Sequence, residues 1–479
     1  MAIIKTGKLT EKQASRNLTK IAVLSTFGGF LFGYDTGVIN GALPFMAQPD
    51  QLNLTPFTEG LVTSSLVLGA AFGAIFTGQL TDRLGRRKVI LWLAILFMIA
   101  TIGCAISVNV PMMVVFRFLL GLGVGGVSAS IPTYLSEMAP SEKRGRYVTI
   151  DQWMIVFGQL LAYITNTILG TTMGAEDANA WRWMTAVALI PAVILWFGMM
   201  IGPESPRWLA SKGRKSEALT VLQGIRAETR AQQELKEIQE SVQQQEKLDK
   251  ATWKDLGIPW IRKLLLIGIG IAVVNQLTGV NSIMYYGTEI LKMAGFGTDA
   301  ALIANIANGA IAVIACTVGM WLLGKVRRRP MGIVGLSGIV VTLFTIGILS
   351  KVMEGSPAFP YVMIALMVTF LAFMQGSIGP ITWLLISEIF PQRLRGLGVG
   401  ISIFFLWIVN FIISFAYPSL LNSMGISGTF FFFGFLNILS LLFYIKYLPE
   451  TKGVTLEELE AKLRATAKKE ESKSENIVG

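Results

Sequence analysis

Long apolar segments recur along almost the whole chain, and this pattern restricts the fold more than any other feature of the sequence. A helix needs about twenty mostly apolar residues to cross a bilayer. Twelve segments have that length, near residues 21–42, 58–80, 88–108, 110–132, 147–170, 181–201, 263–292, 300–324, 331–351, 358–386, 396–421 and 426–448. They lack the alternating pattern of barrel strands, and backbone groups in lipid must be hydrogen-bonded within the segment. The sequence therefore predicts an all-α membrane protein with twelve transmembrane helices.

The loops between these segments differ in charge. One set carries the basic clusters at 83–88, 143–146, 325–329 and 393–395, whereas the other set carries few bases. Basic loops remain in the cytoplasm, so both termini are predicted to be cytoplasmic. The net charge of +11 is dispersed among these loops. It therefore reflects topology, and we expect no nucleic-acid partner.

Several kinds of chemistry are excluded by what the sequence lacks. Histidine is absent, and Cys104 and Cys316 fall inside predicted helices, which argues against metal sites and disulfides. The G-x-G-x-x-G pattern from Gly121 to Gly126 lies in an apolar helix and not after a strand, so helix packing explains it better than nucleotide binding. We expect no cofactor, no metal and no enzymatic activity.

The chain contains an internal repeat. The segment "SEMAPSEKRG" recurs as "SEIFPQRLRG", and "PESPRWL" recurs in part as "PETKG". Two six-helix bundles at 21–201 and 263–448 account for both pairs, with a central interface in which a midplane binding site is expected. The charged, Gln-rich linker 202–262 is predicted to form short cytoplasmic helices. The segments 1–20 and 449–479 are predicted to be cytoplasmic tails.

Charged residues accumulate at helix ends on the basic side. We predict that they form an ion-pair network between the bundles, which closes this side in one conformation. The set comprises Asp82, Arg83, Arg87, Glu137, Arg144, Glu204, Glu388, Arg395 and Glu450. The alternative is that these charges only set the orientation of the loops in the membrane. The second copy of "DRLGRR" lies in "GKVRRRP", where Gly324 and Arg327 replace the acid and the glycine, so locking is expected to depend more on the first half.

The motifs resemble those of one transporter family over nearly the full length. "DRLGRR" resembles the signature of the major facilitator superfamily, and "PESPRWL", "RFLLGLGVGG", "NQLTGVNSIMYYG" and "PETKG" resemble sugar porters. Around "FGYDTGVINGALP" and "LLISEIFPQRLRGLG" the chain is most similar to bacterial myo-inositol transporters. The resemblance implies the major facilitator fold, a bacterial cytoplasmic membrane, a monomer, and transport of a polyol or sugar by alternating access.

Asp35 is an acid within the first apolar segment. It lies off a stripe of glycines with four-residue spacing, which is predicted to pack closely against a neighbouring helix: Gly29, Gly33, Gly37 and Gly41. Intramembrane acids mark ion pathways and need a partner, and Arg117 in the fourth helix is the obvious one. The resemblance implies that Asp35 is the protonation site and Arg117 its counter-charge. A static ion pair that orients two helices remains the alternative.

A polyol site requires amides, which donate and accept hydrogen bonds, and aromatic faces. Gly379 and Pro380 are expected to break the tenth helix near two of the candidate residues. The resemblance implies the following substrate contacts: Phe32, Gln152, Gln159, Gln276, Asn281, Tyr285, Asn308, Gln375, Trp383, Trp407 and Asn410. Inter-helix hydrogen bonding is the alternative for each of them. Asn275 and Leu406 depart from the family pattern, which leaves glucose, xylose and inositol open.

The sequence therefore leaves three functions open. The first is a proton-coupled polyol symporter, most similar to those for myo-inositol. The second is a facilitative sugar uniporter, in which Asp35 and Arg117 are structural. The third is a transporter-like sugar sensor, which the short tail disfavours. The expected partners are the sugar or polyol, protons and the lipid bilayer.

Overall fold

The computed structural model describes residues 10–140, 144–174, 179–247, 253–391 and 393–453. Regular secondary structure in these ranges is entirely helical. The α-helices are α1 (Glu11–Ser25), α2 (Phe27–Met46), α3 (Pro56–Leu84), α4 (Arg86–Ala105), α5 (Val110–Met138), α6 (Arg144–Thr172), α7 (Ala180–Ala186), α8 (Leu189–Ile201), α9 (Pro206–Ser211), α10 (Lys215–Ile225), α11 (Glu228–Lys247), α12 (Pro259–Leu277), α13 (Val280–Met293), α14 (Thr298–Lys325), α15 (Arg328–Val352), α16 (Phe359–Phe373), α17 (Gly379–Glu388) and α18 (Arg395–Tyr447).

Eleven helical stretches among the described residues are long and apolar enough to span a membrane. The last of them, α18, has 53 residues. At about 1.5 Å per residue it is far longer than one crossing requires. Gly425 interrupts it with φ 66° and ψ −178°, a conformation that favours glycine. The break separates two spans, which confirms the twelve predicted transmembrane helices.

Three spans that the sequence predicts as single segments are interrupted in the structure. Residues 187 and 188 separate α7 from α8. Gly279, with φ 81°, separates α12 from α13, and a side chain there would crowd the ring of Phe433. A π-helical turn at Met374–Ile378 separates α16 from α17, directly before Gly379 and Pro380. The break predicted in the tenth helix is therefore confirmed.

The two ends of the polypeptide differ from the predicted boundaries. The sequence predicts the first helix from residue 21, but α1 already begins at Glu11, where Thr10 and Gln13 form a capping box. Its apolar face, including Leu18 and Ile21, is buried against the first half. The predicted tail 449–479 lies outside the described residues beyond residue 453.

Helices pack mainly within two halves, with three main contacts between them. Between the halves, α2 packs on α13, α3 on α18, and α6 on α14. The helices α9, α10 and α11 lie against the first half, where Arg226 donates to the Met138 carbonyl over 2.9 Å and Trp208 donates to the Asp82 carbonyl over 3.0 Å. We call the end of the molecule that carries residues 83–88 and 325–329 the basic end, and the opposite end the distal end.

The glycine stripe of α2 packs against α6. A Cβ at Gly33 would overlap the carbonyl oxygen of Ile155, and one at Gly37 would lie 2.8 Å from the Cβ of Ala162. Only glycine permits this backbone approach. The predicted close packing is confirmed, and it brings the polar side chains of α6 against α2.

Candidate functional site

Asp35 and Arg117 are both buried, with 1% and 4% of their surfaces exposed. They lie on α2 and α5, which are in contact. Arg117 Nε donates to the Val62 carbonyl of α3 over 3.3 Å. Asp35 Oδ2 is buried without a hydrogen-bond partner, and no ion pair within 4.0 Å joins the two described residues. The sequence predicts Arg117 as the counter-charge of Asp35, and this stays a prediction, since in this conformation Arg117 Nε is bound to α3.

The second half contributes a chain of amides where α12 meets α13. Asn281 Nδ2 donates to Gln276 Oε1 over 2.6 Å, and Gln276 Nε2 donates to Asn275 Oδ1 over 3.0 Å. Asn275 in turn donates to the Thr382 hydroxyl of α17 over 3.1 Å. The chain fixes the orientation of two predicted contacts, Gln276 and Asn281, and gives Asn275 a positioning role.

Aromatic side chains from the two halves also meet. The ring of Phe32 lies 5.7 Å from that of Trp407, between centroids. Trp407 is 2% exposed, and its Nε1 is buried without a partner. Asn410, one turn further along α18, accepts from Ser414 over 3.0 Å and lies beside the Tyr285 hydroxyl. The predicted contacts of α2, α13 and α18 therefore come together.

The remaining predicted contacts lie on α6, α14 and the interrupted tenth span. Gln159 Nε2 donates to the Thr36 hydroxyl over 3.0 Å, while its Oε1 is buried and unpaired. Gln152, Gln375 and Trp383 are half-buried. No hydrogen bond of the described residues fixes these last three side chains.

Asn308 belongs to a network that crosses between the halves. It donates to Asn305 Oδ1 over 2.9 Å, and Asn305 donates to the Thr288 hydroxyl over 2.9 Å. Thr288 donates to Asn40 Oδ1, and Asn40 donates to the Met284 carbonyl over 2.7 Å. The sequence analysis did not single out Asn40. Its position inside an apolar segment was the available signal, since intramembrane amides commonly bond across helices.

Other hydrogen bonds between the halves also lie mostly toward the distal end. The Tyr163 hydroxyl of α6 donates to the Met284 carbonyl over 3.0 Å, and that of Thr167 donates to the Leu302 carbonyl over 2.9 Å. Nearer the basic end, Trp153 Nε1 donates to the Thr317 hydroxyl over 3.2 Å. The two halves are therefore joined chiefly at the distal end.

At the basic end, each half has the same carboxylate contact. Glu204 Oε1 accepts from the backbone N–H groups of Arg86 and Arg87 over 2.9 and 3.1 Å, at the start of α4. Glu450 accepts from those of Arg328 and Arg329 over 3.1 and 3.2 Å, at the start of α15. A carboxylate at a helix N-terminus satisfies unpaired N–H groups and complements the helix dipole.

The charged side chains at this end also pair within each half. Arg86 Nε lies 3.0 Å from Glu137 Oε2, and Arg86 Nη2 lies 3.0 Å from Asp82 Oδ1. In the second half, Arg328 Nη2 lies 3.5 Å from Glu388 Oε1. The described ion pairs thus do not form the predicted network between bundles in this conformation, because the halves meet at the distal end.

The other predicted gate residues have different surroundings. Arg87 donates to the Met199 carbonyl over 2.8 Å and so ties α4 to α8. Arg83 and Arg395 are exposed, and the side chain of Arg144 lies outside the described residues. The expectation that locking depends more on the first half stays a prediction. Arg328 repeats the role of Arg86, although Asp82 and Gly85 have no counterparts in the second half.

Four predicted site residues share one property, which is a buried polar atom without a hydrogen-bond partner. These atoms are Asp35 Oδ2, Gln159 Oε1, Asn308 Oδ1 and Trp407 Nε1. Unpaired buried polar groups cost roughly 1–3 kcal/mol each, so they require an explanation. Hydroxyl groups both donate and accept hydrogen bonds, and a polyhydroxylated ligand can pair all of these atoms.

Comparisons with known proteins give the family of the chain. The family described as "Sugar (and other) transporter" matches residues 21–463. The chain is 61% identical over 451 residues to YncC of Bacillus subtilis, whose name gives metabolite transport without a substrate, with 94% of this chain and 96% of YncC covered. It is 58% identical over 448 residues to the major myo-inositol transporter IolT of the same organism, with 94% of both chains covered.

Solved structures show the same fold. The inward-open, partially occluded form of the xylose transporter XylE from E. coli has a TM-score of 0.80 at 30% identity, with 92% of this chain and 99% of XylE covered. The fold and these relatives define a multi-pass membrane transporter of the major facilitator superfamily, which confirms the predicted fold class. The chain belongs to the sugar transporter family, and its relatives are transporters and not enzymes.

Proposed function

We propose that this protein is a proton-coupled polyol transporter with myo-inositol as its substrate. The observation that carries the proposal is that predicted contacts on both halves have buried polar atoms without a hydrogen-bond partner: Gln159 Oε1 in the first half, and Asn308 Oδ1 and Trp407 Nε1 in the second. A substrate that binds both halves can couple its own binding to their relative movement. The similarity to a named myo-inositol transporter favours this polyol among those that fit.

Proton coupling is assigned to Asp35. Its Oδ2 atom is buried without a partner, and Arg117 lies on an adjoining helix with its Nε bound to α3. A buried carboxylate is costly unless it is paired, so the acid binds a proton when Arg117 is turned away. The alternation of Arg117 between α3 and Asp35 then links protonation to the conformational change. XylE, described as a proton:xylose symporter, is a structural relative.

The conformation is assigned as inward-facing, with the basic end in the cytoplasm of a bacterial inner membrane and the protein acting as a monomer. Basic loops favour the cytoplasmic side. Hydrogen bonds from Asn40, Tyr163 and Thr167 join the halves at the distal end, which is then the extracellular end. The TM-score of 0.80 to an inward-open structure supports this assignment.

The test is uptake of labelled myo-inositol into proteoliposomes with and without an inward proton gradient, with glucose and xylose in parallel. We expect the gradient to drive accumulation of myo-inositol above its external concentration, and Asp35→Asn to abolish this accumulation. Asp50→Asn serves as the matched control, because Asp50 is an exposed loop acid. Equilibrating uptake that ignores the gradient contradicts proton coupling and favours the uniporter. Accumulation of glucose or xylose in preference to inositol contradicts the substrate.

A further inference from the structure

A second carboxyl is buried in the first half, and the assigned coupling mechanism does not use it. Asp151 lies on α6 and is 3% exposed. Its Oδ1 atom is buried and has no hydrogen-bond partner. The side chain is packed against α2, where a Cβ at Gly29 would lie 2.5 Å from Oδ1. In the sequence, Asp151 stands near the start of an apolar segment, directly before Gln152, and nothing there distinguishes it from a helix-end charge.

The position of Asp151 relates it to Asp35. Gly29, which it contacts, precedes Asp35 by six residues on α2. At about 1.5 Å per residue, the two acids are offset by about 9 Å along the helix axis. Because α2 runs from the basic end to the distal end, Asp151 lies on the cytoplasmic side of Asp35 in the proposed orientation. The half-buried side chains Gln152 and Trp153 follow it on α6.

No described charged group neutralises Asp151. The main helices packed against α6 are α2, α5, α7 and α14. Their titratable and charged residues are Tyr34, Asp35, Arg117, Tyr134, Glu137, Arg182, Asp299, Cys316 and Lys325. None of these forms an ion pair or hydrogen bond with Asp151 among the described residues. Arg144 and Arg146 at the start of α6 have side chains outside the description.

A structural acid normally has donors to bind, which repay its burial. Asp151 Oδ1 has none, and asparagine of nearly the same shape would fill the same space against Gly29. What the carboxyl adds to that shape is the ability to bind and release a proton. An intramembrane acid without a structural partner is by default a functional group.

We propose that Asp151 is a second proton-binding group, which accepts the proton from Asp35 and releases it toward the cytoplasm. The proposal rests on the proton-coupled function of the preceding subsection. In the inward-facing state the Asp35 carboxyl loses its proton to water, and the Asp151 carboxylate takes one up from water. Asp35 is then ionised and Asp151 neutral, and Asp151 later releases the proton to cytoplasmic water. One proton crosses and no charge is gained or lost in the transfer.

The experiment compares two transport modes in the same proteoliposomes. Exchange of labelled for unlabelled myo-inositol at equal pH on both sides requires substrate binding and movement of the halves, but no net proton release. Gradient-driven uptake requires proton release in every cycle. We expect Asp151→Asn to lower the initial rate of gradient-driven uptake by about tenfold or more, as for loss of a proton-transferring group. Exchange should remain within about twofold of wild type, because the shape at Gly29 is retained.

Two further variants keep the result decisive. Asp151→Glu restores a titratable group and should recover part of the gradient-driven rate, which a purely steric role does not predict. Asp151→Ser tests the loss of the acid with a smaller side chain if the asparagine variant fails to assemble. Asp50→Asn, the exposed loop variant, should leave both modes unchanged.

The outcomes separate this proposal from the one on which it rests. If wild-type uptake is driven by the gradient and Asp35→Asn abolishes it, but Asp151→Asn matches wild type in both modes, Asp151 does not carry the proton and Asp35 coupling stands. Equal losses of exchange and gradient-driven uptake in Asp151→Asn and Asp151→Ser also overturn the proposal, since they indicate a structural role. If wild-type uptake ignores the gradient, both proposals fail.

Discussion

Asn40 on α2 and Thr288 on α13 are joined by two hydrogen bonds across the boundary between the halves. Asn40 Oδ1 accepts from the Thr288 hydroxyl over 2.6 Å and from its backbone N–H over 3.0 Å. The Asn40 amide also donates to the Met284 carbonyl over 2.7 Å. With the Ile283 carbonyl at 3.4 Å, one buried amide bonds to four groups of the opposite half, and in the proposed transport cycle these bonds break when the distal end opens.

Removing the Thr288 hydroxyl should weaken this contact. Thr288→Val keeps the side-chain shape and removes the hydroxyl that donates to Asn40 and accepts from Asn305, at a cost of about 1–3 kcal/mol, while Asn305 keeps the Ala301 carbonyl as an acceptor. We expect faster hydrogen–deuterium exchange in residues 280–293 and a larger outward-facing population. Thr369→Val is the control, because that exposed hydroxyl bonds only to its own helix. Unchanged exchange in 280–293 would show that the contact does not limit opening.

The approach of α2 to α6 should not tolerate a methyl group at Gly33. Gly33→Ala places Cβ onto the Ile155 carbonyl oxygen, and backbone cannot move aside as a side chain can. We expect loss of monodisperse protein on size-exclusion chromatography, or loss of transport. Gly78→Ala is the matched control, since no atom lies within 4 Å of a Cβ there. Equal behaviour of the two variants contradicts the packing assignment.

The ion pairs of the basic end should differ in strength according to their burial. Arg86 and Glu137 are 11% and 10% exposed, so Arg86→Ala leaves a buried carboxylate unpaired at a cost of about 3–5 kcal/mol. Arg328→Ala should cost less, because Glu388 is 31% exposed. Thermal unfolding in detergent should rank the variants in this order. The Arg86→Ala/Glu137→Ala double variant should recover part of the loss.

An exposed pair provides the reference for that series. Arg214 and Glu217 are 48% and 42% exposed, and solvent screens such pairs so that they contribute little to stability. Arg214→Ala should therefore leave the melting temperature almost unchanged. A melting temperature for Arg86→Ala as high as that for Arg214→Ala would contradict the assigned role of the buried pair.

The two helix-end carboxylates should respond oppositely to pH. Burial raises the pKa of Glu204 above its ordinary value of 4.5, against the opposing effect of its backbone donors. Burial acts on Glu450 too, but the N–H groups of Lys452, Arg328 and Arg329 hold the pKa of Glu450 below 4.5. The contribution of Glu204 to the stability of the folded protein is thus present below pH 4.5 and lost as the pH rises through its folded-state pKa. That of Glu450 is present above pH 4.5 and lost as the pH falls through its folded-state pKa.

Melting temperatures of Glu204→Gln and Glu450→Gln test these signs, because glutamine keeps the shape and does not titrate. On acidification from neutral pH, wild type should gain stability relative to Glu204→Gln and lose it relative to Glu450→Gln. Parallel trends in the two comparisons would show that at least one of the assigned directions is wrong.

The unpaired Trp407 Nε1 should bind a substrate hydroxyl. Trp407→Phe keeps an aromatic ring beside Phe32 but removes the donor, so the KM for myo-inositol should rise by about tenfold with little change in maximal rate. Trp183→Phe is the control, since Trp183 is 57% exposed on the outer surface. An unchanged KM would remove Trp407 from the substrate site.

Much of the architecture could be predicted from the sequence. The length of the apolar segments is a local property of the sequence, and it suffices to predict twelve spans. The four-residue spacing of the glycines from Gly29 to Gly41 is local too, and it suffices to predict their packing stripe. The interruption at Gly279 was missed, because isolated glycines are common in membrane helices and only the packing against Phe433 distinguishes this one. The early start of α1 was missed because its apolar residues face the first half and its polar residues face outward.

The residue types of the candidate site could be predicted from the sequence, but the groups that each side chain contacts could not. Family resemblance pointed to Gln276, Asn281 and Trp407; the structure joins the first two by a hydrogen bond and packs the third against Phe32. It could not show that Arg117 turns to α3, since side-chain direction depends on the conformation of the bundles. Asn40 and Asp151 were also missed, because the significance of each depends on a neighbour distant in the chain: Thr288 for one, Gly29 for the other.

The matching contacts of Glu204 and Glu450 bear on the ancestry of the two halves. Around them the halves have diverged, with Gly324 and Arg327 standing where the first half has Asp82 and Gly85. Backbone N–H groups are present whatever the side chain, so a carboxylate bound to them outlasts substitutions that remove side-chain pairs. The same contact in both halves is what duplication of a six-helix unit would leave behind at a position where the side-chain motifs differ.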